Sequence, residues 1–509
     1  MNVKDKVIIK NSLYLLSRTL LLSIISLYTV REVLHVLGAE GYGLFNLIFG
    51  VVTLFAFVNG ALMASTQRYL GYKLGQKDIV GLKDVFFTSC MIHFILACTL
   101  GIVLFIFKDI IINKVLSVGL FKKEAEFLYL LAITNVFITV MQSPFSAIIT
   151  IYEKMKVFAY LAILEGTSKL LVVYALYIVD YNKIILYGVL LVTVSLMILM
   201  LHIIYSYRSF PQVCSIKNTK DIQLKLHLKD MLGFMGWSLI GNLAYVAKKQ
   251  GVNVILNMFF GIVVNAAYAL SMTITTLVSN LVSSVSNAIK PQLFKSYAEK
   301  NMSNFYSLLS NGTKYYIYAL IIILLPLMLC LNELLHFWLV DVPVYAVLFC
   351  KLALLIVFIE AYSTLLIVAV QATGNIRNNQ IILGSLLLLN LPIGFAFLHF
   401  GYAAYSVFYV SLVLSLVILM VRLFIVQALT GYKVSFFIRD VLIPTLKCVF
   451  VAGLAAFFYR YLIYSWSVSF FTVFSLMCLI GITSLLCIYL VGLNSIEKEK
   501  IRLMISKFR

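Results

Sequence analysis

Apolar runs of about 20 residues, separated by short polar links, recur along this chain and predict fourteen membrane-crossing helices. Their approximate bounds are 11–34, 43–64, 84–107, 126–149, 157–179, 184–207, 232–259, 262–288, 315–339, 344–371, 380–399, 402–427, 441–461 and 467–493. A hydrocarbon core of roughly 30 Å needs about 20 helical residues to cross it, and backbone polar groups there must bond within their own segment. The predicted fold class is therefore an all-α polytopic membrane protein with about 14 transmembrane helices. The links leave no room for a soluble catalytic domain, since the longest on the predicted outer side runs only from Lys108 to Ala125.

Composition agrees with that pattern. Hydrophobic residues make up 62% of the 509 positions, charged residues 12%, and mean hydropathy is +1.02. A net charge of +20 would suit a nucleic-acid partner, but the basic residues lie between spans rather than in one patch, so none is expected. With the N-terminus inside, the even-numbered links and both tails carry 26 Lys and Arg residues, against 7 on the outer side, counting Arg31 and Arg460 at the outer ends of their spans. That bias predicts cytoplasmic termini. The basic stretch Met1 to Lys10 leads into a run that contains Arg18 and no small-residue cleavage site, so an uncleaved first span is expected.

Eight scattered cysteines form no C-x-x-C pair and read as small buried apolar residues. Neither a phosphate-binding G-x-x-x-x-G-K-[ST] loop nor an H-E-x-x-H zinc motif is present. The sequence thus predicts no metal, no cofactor and no catalytic residue; an enzyme is not expected.

A weak internal repeat runs at an offset of 223 residues. Gly38 and Gly261 follow the first and seventh spans, and Leu70-x4-Gly75-Gln76-Lys77-Asp78 matches Leu293-x4-Ala298-Glu299-Lys300-Asn301. An even number of spans between copies makes the repeats parallel. The expected division is a six-helix lobe over 1–210, a cytoplasmic linker over 211–230, a second six-helix lobe over 231–430, and two additional helices with a basic tail over 431–509.

Apart from Arg31 and Arg460 at the outer ends of their spans, seven basic residues fall inside predicted spans: Arg18, Lys169, Lys248, Lys249, Lys351, Arg422 and Lys447. A basic side chain at the bilayer centre costs about 2.5–3.5 kcal/mol on insertion scales, a cost avoided near span ends by reaching the headgroups. Lys351, Arg422 and Lys447 lie within about two turns of an end and are expected to snorkel. Arg18, Lys169, Lys248 and Lys249 are deeper and point to a water-filled cavity, with structural ion pairs as the alternative. Two acids, Glu165 and Glu360, are also deep. Glu165 and Lys169 have the i,i+4 spacing of a local ion pair, and a proton or sodium site is the alternative. Glu360 lies nine residues from Lys351, nearly opposite it on a helix, and needs another partner; it is the preferred acid for ion coupling. Four cations against two anions leave a surplus that calls for an anionic ligand, and a lipid-borne diphosphate fits it. Asn253, Asn257 and Asn265 add hydrogen-bonding capacity, for interhelical bonds or for sugar.

The stretch from Arg31 to Asp78, with its Leu37-Gly38-Ala39-Glu40-Gly41-Tyr42-Gly43 loop and Thr66-Gln67-Arg68-Tyr69-Leu70, resembles bacterial polysaccharide flippases of the multidrug/oligosaccharidyl-lipid/polysaccharide exporter superfamily. Asn257 to Gly261 and the region through Lys290-Pro291-Gln292 resemble the corresponding second-half segment. The resemblance implies two six-helix lobes in a V around a central cationic cavity, plus two C-terminal helices. It implies translocation of undecaprenyl-diphosphate-linked oligosaccharide across the bacterial inner membrane for O-antigen or capsule assembly, by alternating access coupled to H+ or Na+. Membrane lipids and a polysaccharide polymerase or glycosyltransferases are the partners it implies. On this reading Arg18, Lys169, Lys248 and Lys249 bind diphosphate or sugar, and Glu360 and Glu165 serve ion coupling. A cation-coupled multidrug exporter and a membrane-embedded polysaccharide polymerase or ligase are the alternatives.

Overall fold

A computed structural model describes residues 3–54, 57–152, 154–179, 181–214, 243–373, 375, 377–463, 469–495 and 497–499, with side chains from Leu21 onward for most of them. All regular elements among the described residues are helical. Twelve of these helices are long and apolar enough to cross a membrane, and the chain is a multi-pass membrane protein. That count takes 21–52 as one helix across a kink at Gly38, and it omits helical residues 243–260. The segment 215–242, with Gly233, Gly236, Gly241 and Asn242, lies outside the described residues.

In chain order the helices are α1 (Val3–Leu54), α2 (Phe57–Gly75), α3 (Ile79–Ile106), α4 (Lys122–Ile151), α5 (Met155–Ile178), α6 (Lys183–Ser209), α7 (243–260), α8 (Ile262–Ala298) and α9 (Met302–Leu329). They continue with α10 (Leu331–Trp338), α11 (Ala346–Ala361), α12 (Thr364–Thr373), α13 (Arg377–Leu388), α14 (Asn390–His399), α15 (Ser406–Thr430), α16 (Ile443–Ile463) and α17 (Phe470–Cys487). Packing divides them into two compact units: Met1–Ala269 with Leu387–Ala404, and Leu270–Leu386 with Tyr405–Arg509.

Among the described residues the first unit holds two apolar clusters. One gathers Leu44, Leu47 and Ile48 of α1 with Leu128, Tyr129 and Val140 of α4; the other gathers Phe86 of α3, Phe145 and Ile148 of α4, and Phe210 and Cys214 beyond α6. Gly38 kinks α1 with a left-handed φ of 70°, which a residue without Cβ adopts freely. Gly43 lets α1 lie directly on the start of α8, because a Cβ there would come within 2.0 Å of the Ile262 carbonyl oxygen. The α7–α8 joint turns at Gly261 and is held by buried amides. The Asn257 side chain exchanges hydrogen bonds with the Ser117 backbone at 2.7 and 3.1 Å, and Asn265 donates to Asn253 Oδ1 at 2.6 Å. These asparagines take the interhelical role.

The 223-residue repeat is much stronger in the fold than in the sequence. Helix α3 and helix α9 are offset by that number at both ends, and α6 and α15 start at positions with the same offset. Gly261 repeats the left-handed turn of Gly38, with φ 76°. Asp78 caps α3 through the Gly81 N–H at 2.8 Å, and Asn301 caps α9 through the Asn304 N–H at 3.1 Å.

In the second unit, α16 and α17, the helices beyond the repeat, pack on α9. The sequence reading placed Lys314 in a link before a span starting at 315. Instead, the Asn301 cap starts α9 at Met302, and Lys314 lies inside it, 2% exposed, with Nζ 2.5 Å from Glu497 Oε1. Glu497 also accepts from Tyr315 Oη at 3.0 Å and from the Asn494 N–H at 2.8 Å. This cluster ties the chain beyond α17 to the middle of α9.

Candidate functional site

Helices α1 and α5 pack closely where Gly166 faces Leu22; a Cβ on Gly166 would lie 2.6 Å from the Leu22 methyl. They run parallel, since Tyr28 meets Tyr174 at 2.8 Å between hydroxyls, and Tyr177 further on donates to Glu32 at 3.0 Å. Between them opens a cavity of about 300 Å³, bordered by Ser26 and Thr29 of α1 and by Glu165, Gly166 and Lys169 of α5. Lys169 Nζ donates to Glu165 Oε1 at 2.5 Å, the i,i+4 pair expected from the spacing. Both remain partly open, at 40% and 34% exposure, so the pair borders the cavity rather than being sealed in it. Buried His202 of α6 lies within electrostatic reach of Glu165.

Arg18 stands one turn before Leu22 and two before Ile25, so its backbone position falls on the stripe of α1 that meets α5. Its side chain lies outside the described residues.

Lys248 and Lys249 do not border this cavity. They lie on α7, where the 223-residue offset aligns them with Ile25 and Ser26 of α1. Within the same unit α7 packs on α14: Gly251 faces Leu391, and the rings of Phe259 and Phe395 are 5.4 Å apart. The four predicted cations thus fall on two repeat-related helix pairs. The offset matches Glu165 and Lys169 with Leu388 and Pro392, so the second pair carries no acid at the position of Glu165.

Glu360 lies in the other unit, in the last turn of α11, and accepts from Ser415 Oγ of α15 at 3.3 Å. Arg422, two turns after Ser415 on the same face of α15, is only 8% exposed and feels the Glu360 charge. Snorkelling, expected for Arg422 from its distance to the span end, is therefore replaced by burial beside an acid. Lys351 is half-buried and Lys447 exposed. What the sequence missed was the partner of Glu360: no local spacing relates positions 360 and 422, and only packing of α11 on α15 brings them close. Among the described residues no three His, Cys, Asp or Glu side chains gather as metal ligands would.

The chain matches no family model. No curated protein matches it either. Solved structures do. The lipid II flippase MurJ in an inward closed conformation is similar with a TM-score of 0.68 and 15% identity, over 94% of this chain and 97% of that one. An inward-facing multidrug resistance MATE family transporter of the MOP superfamily matches with TM-score 0.65 and 15% identity, over 80% and 96%. A MOP superfamily transporter from Pyrococcus furiosus, described by the reverse polarity of its binding pocket, matches with TM-score 0.59 and 14% identity, over 81% and 95%. At these identities the likeness is one of fold, and the chain has the fold of MOP-superfamily transporters.

Proposed function

We propose that the protein is a flippase of the bacterial inner membrane that carries undecaprenyl-diphosphate-linked oligosaccharide from the cytoplasmic to the periplasmic leaflet, for assembly of a surface polysaccharide such as O-antigen or capsule. The observation that carries this reading is the cavity between α1 and α5, bordered by Lys169 and with Arg18 in register on its α1 side. Because Glu165 pairs with Lys169, the proposed charge surplus of this cavity comes from Arg18; a net cation there would suit a phosphate headgroup and oppose an organic cation, since like charges in a medium of low dielectric repel strongly. Lys248 and Lys249, on the repeat-related helix α7, supply a second cationic surface for the same headgroup. The likeness to the lipid II flippase, which spans nearly all of this chain, supports a lipid-linked substrate.

In the proposed cycle the diphosphate enters in an inward-open state and leaves in an outward-open one, driven by a difference in affinity between the two states. Glu165 and Glu360 are the acids proposed to exchange a coupling ion. The test is complementation of a deletion strain with Lys169→Ala and Arg18→Ala at matched protein abundance. Surface polysaccharide should fall several-fold while lipid-linked oligosaccharide accumulates in the cytoplasmic leaflet; full complementation by both variants would overturn the reading.

The MATE likeness favours one second reading, a multidrug exporter. It would appear as drug hypersensitivity of the deletion strain with surface polymer intact. Loss of chain extension with undiminished flipping would instead indicate a polymerase or ligase.

A further inference from the structure

We propose that the second unit holds an oxyanion site of its own, formed by Arg422 and the N-terminal end of α12 at the interruption between α11 and α12. It is separate from the α1–α5 cavity and does not depend on the flippase reading.

Helix α11 ends at Ala361 and α12 begins at Thr364. Between them the chain makes a turn, with the Tyr362 N–H bonded to the Ile359 carbonyl at 3.3 Å and the Ser363 N–H to the Glu360 carbonyl at 3.0 Å. Helix α15 runs parallel to both. The rings of Phe349 and Phe408 are 4.6 Å apart, and further along Glu360 meets Ser415, so the register sets Arg422 opposite the interruption and the first turn of α12. A long side chain on a helix leans toward its N-terminus, which carries the guanidinium back toward Ser415 and Glu360.

Two independent features converge there. Arg422 is more than nine-tenths buried, and its Nε, itself buried, has no hydrogen-bond partner among the described residues. The ten-residue α12 offers the second feature, since the first turn of a helix presents N–H groups without intrahelical acceptors and a partial positive charge. A guanidinium fork and a helix N-terminus both fit a tetrahedral oxyanion, so a phosphate group is the expected occupant, either free phosphate or the headgroup of a phospholipid. Of the groups around this spot, Glu360 carries charge and would compete for Arg422. The Tyr362 hydroxyl is bonded to Thr445 Oγ1 at 2.7 Å, and the Tyr316 hydroxyl to Thr364.

The test uses the purified full-length protein and radiolabelled inorganic phosphate, with chloride holding ionic strength constant. Saturable binding is expected, weakened at least tenfold in Arg422→Gln and tightened at least threefold in Glu360→Gln. If Arg422→Gln does not accumulate, Arg422→Lys decides: it keeps the charge, loses the fork and should bind several-fold more weakly. Unchanged affinity in the Arg422 variants, or no saturable binding to either wild type or Glu360→Gln, would each overturn the proposal. Phosphatidylglycerol nanodiscs that suppress the signal relative to phosphatidylcholine would identify a lipid headgroup as the occupant; equal signals would identify free phosphate.

Discussion

Lys77 and Lys300, 223 positions apart, share one unusual backbone conformation: both are left-handed, with φ 59° and 55°. Each follows the last turn of one helix and precedes an Asp or Asn that caps the next. The N–H of Lys77 bonds to the Leu74 carbonyl and that of Lys300 to the Tyr297 carbonyl, both at 3.0 Å. A bulky residue is rarely left-handed, so the recurrence marks the two halves as copies of one design.

Relieving those turns should stabilise the protein. Lys77→Gly and Lys300→Gly each remove a left-handed penalty of about 1–2 kcal/mol and add roughly 0.5–1 kcal/mol of chain entropy, for a net gain of up to about 1.5 kcal/mol. Asp78→Ala and Asn301→Ala should each lose about 1 kcal/mol of capping. Thermal unfolding midpoints in detergent, rising for the first pair and falling for the second, check both.

Two glycines of α1 should differ sharply. Gly38→Ala meets open space but must hold φ 70° and ψ 175°, a region essentially reserved to glycine, at a cost of about 1–3 kcal/mol. Gly43→Ala meets the Ile262 carbonyl oxygen and must push α1 off α8. Gly43→Ala should therefore accumulate poorly while Gly38→Ala accumulates near normally, as read by fluorescence size-exclusion profiles.

Gly166→Ala should narrow the α1–α5 cavity without removing a charge, because the added Cβ collides with Leu22. On the proposed function it lowers polysaccharide export several-fold at normal protein abundance. Export unchanged from wild type would detach the cavity from transport.

The buried pair Lys314 and Glu497 predicts a non-additive response. Removing either partner alone strands a charge and should cost about 3–5 kcal/mol, whereas Lys314→Met with Glu497→Leu should recover most of it. Burial alone would raise the Glu497 carboxyl, but the Lys314 bond, the Asn494 N–H and the Tyr315 hydroxyl outweigh it and hold it below the ordinary carboxylate value. Its contribution is therefore complete above the unfolded carboxylate pKa of about 4.3 and is lost as pH falls through the lower folded value. Unfolding midpoints of the double variant should lack that part of the acid dependence.

Much of this was legible in the sequence because membrane solvation writes itself into composition: apolar runs and the placement of Lys and Arg give helix order directly. The Glu165–Lys169 pair was legible too, since both partners stand on one face of one helix. Arg422 and Lys314 were not. Distance to a span end is a fair guide to depth only for a cation without a distant partner, and Glu360 and Glu497 are brought in by packing. Glu497 was further disguised by the basic residues that follow it. The turn shared by Lys77 and Lys300 lay in plain view as a four-residue match, but its weight comes from dihedral angles, which letters do not carry.

The Lys314–Glu497 contact also sets an order on biosynthesis. A ribosome delivers Lys314 to the translocon long before residue 497 exists, so α9 must wait with an unmatched cation until synthesis has passed Glu497. Nascent chains stalled before that point should be the forms that quality-control proteases recognise, and a carboxyl-terminal deletion reaching residue 497 would leave every molecule in that state.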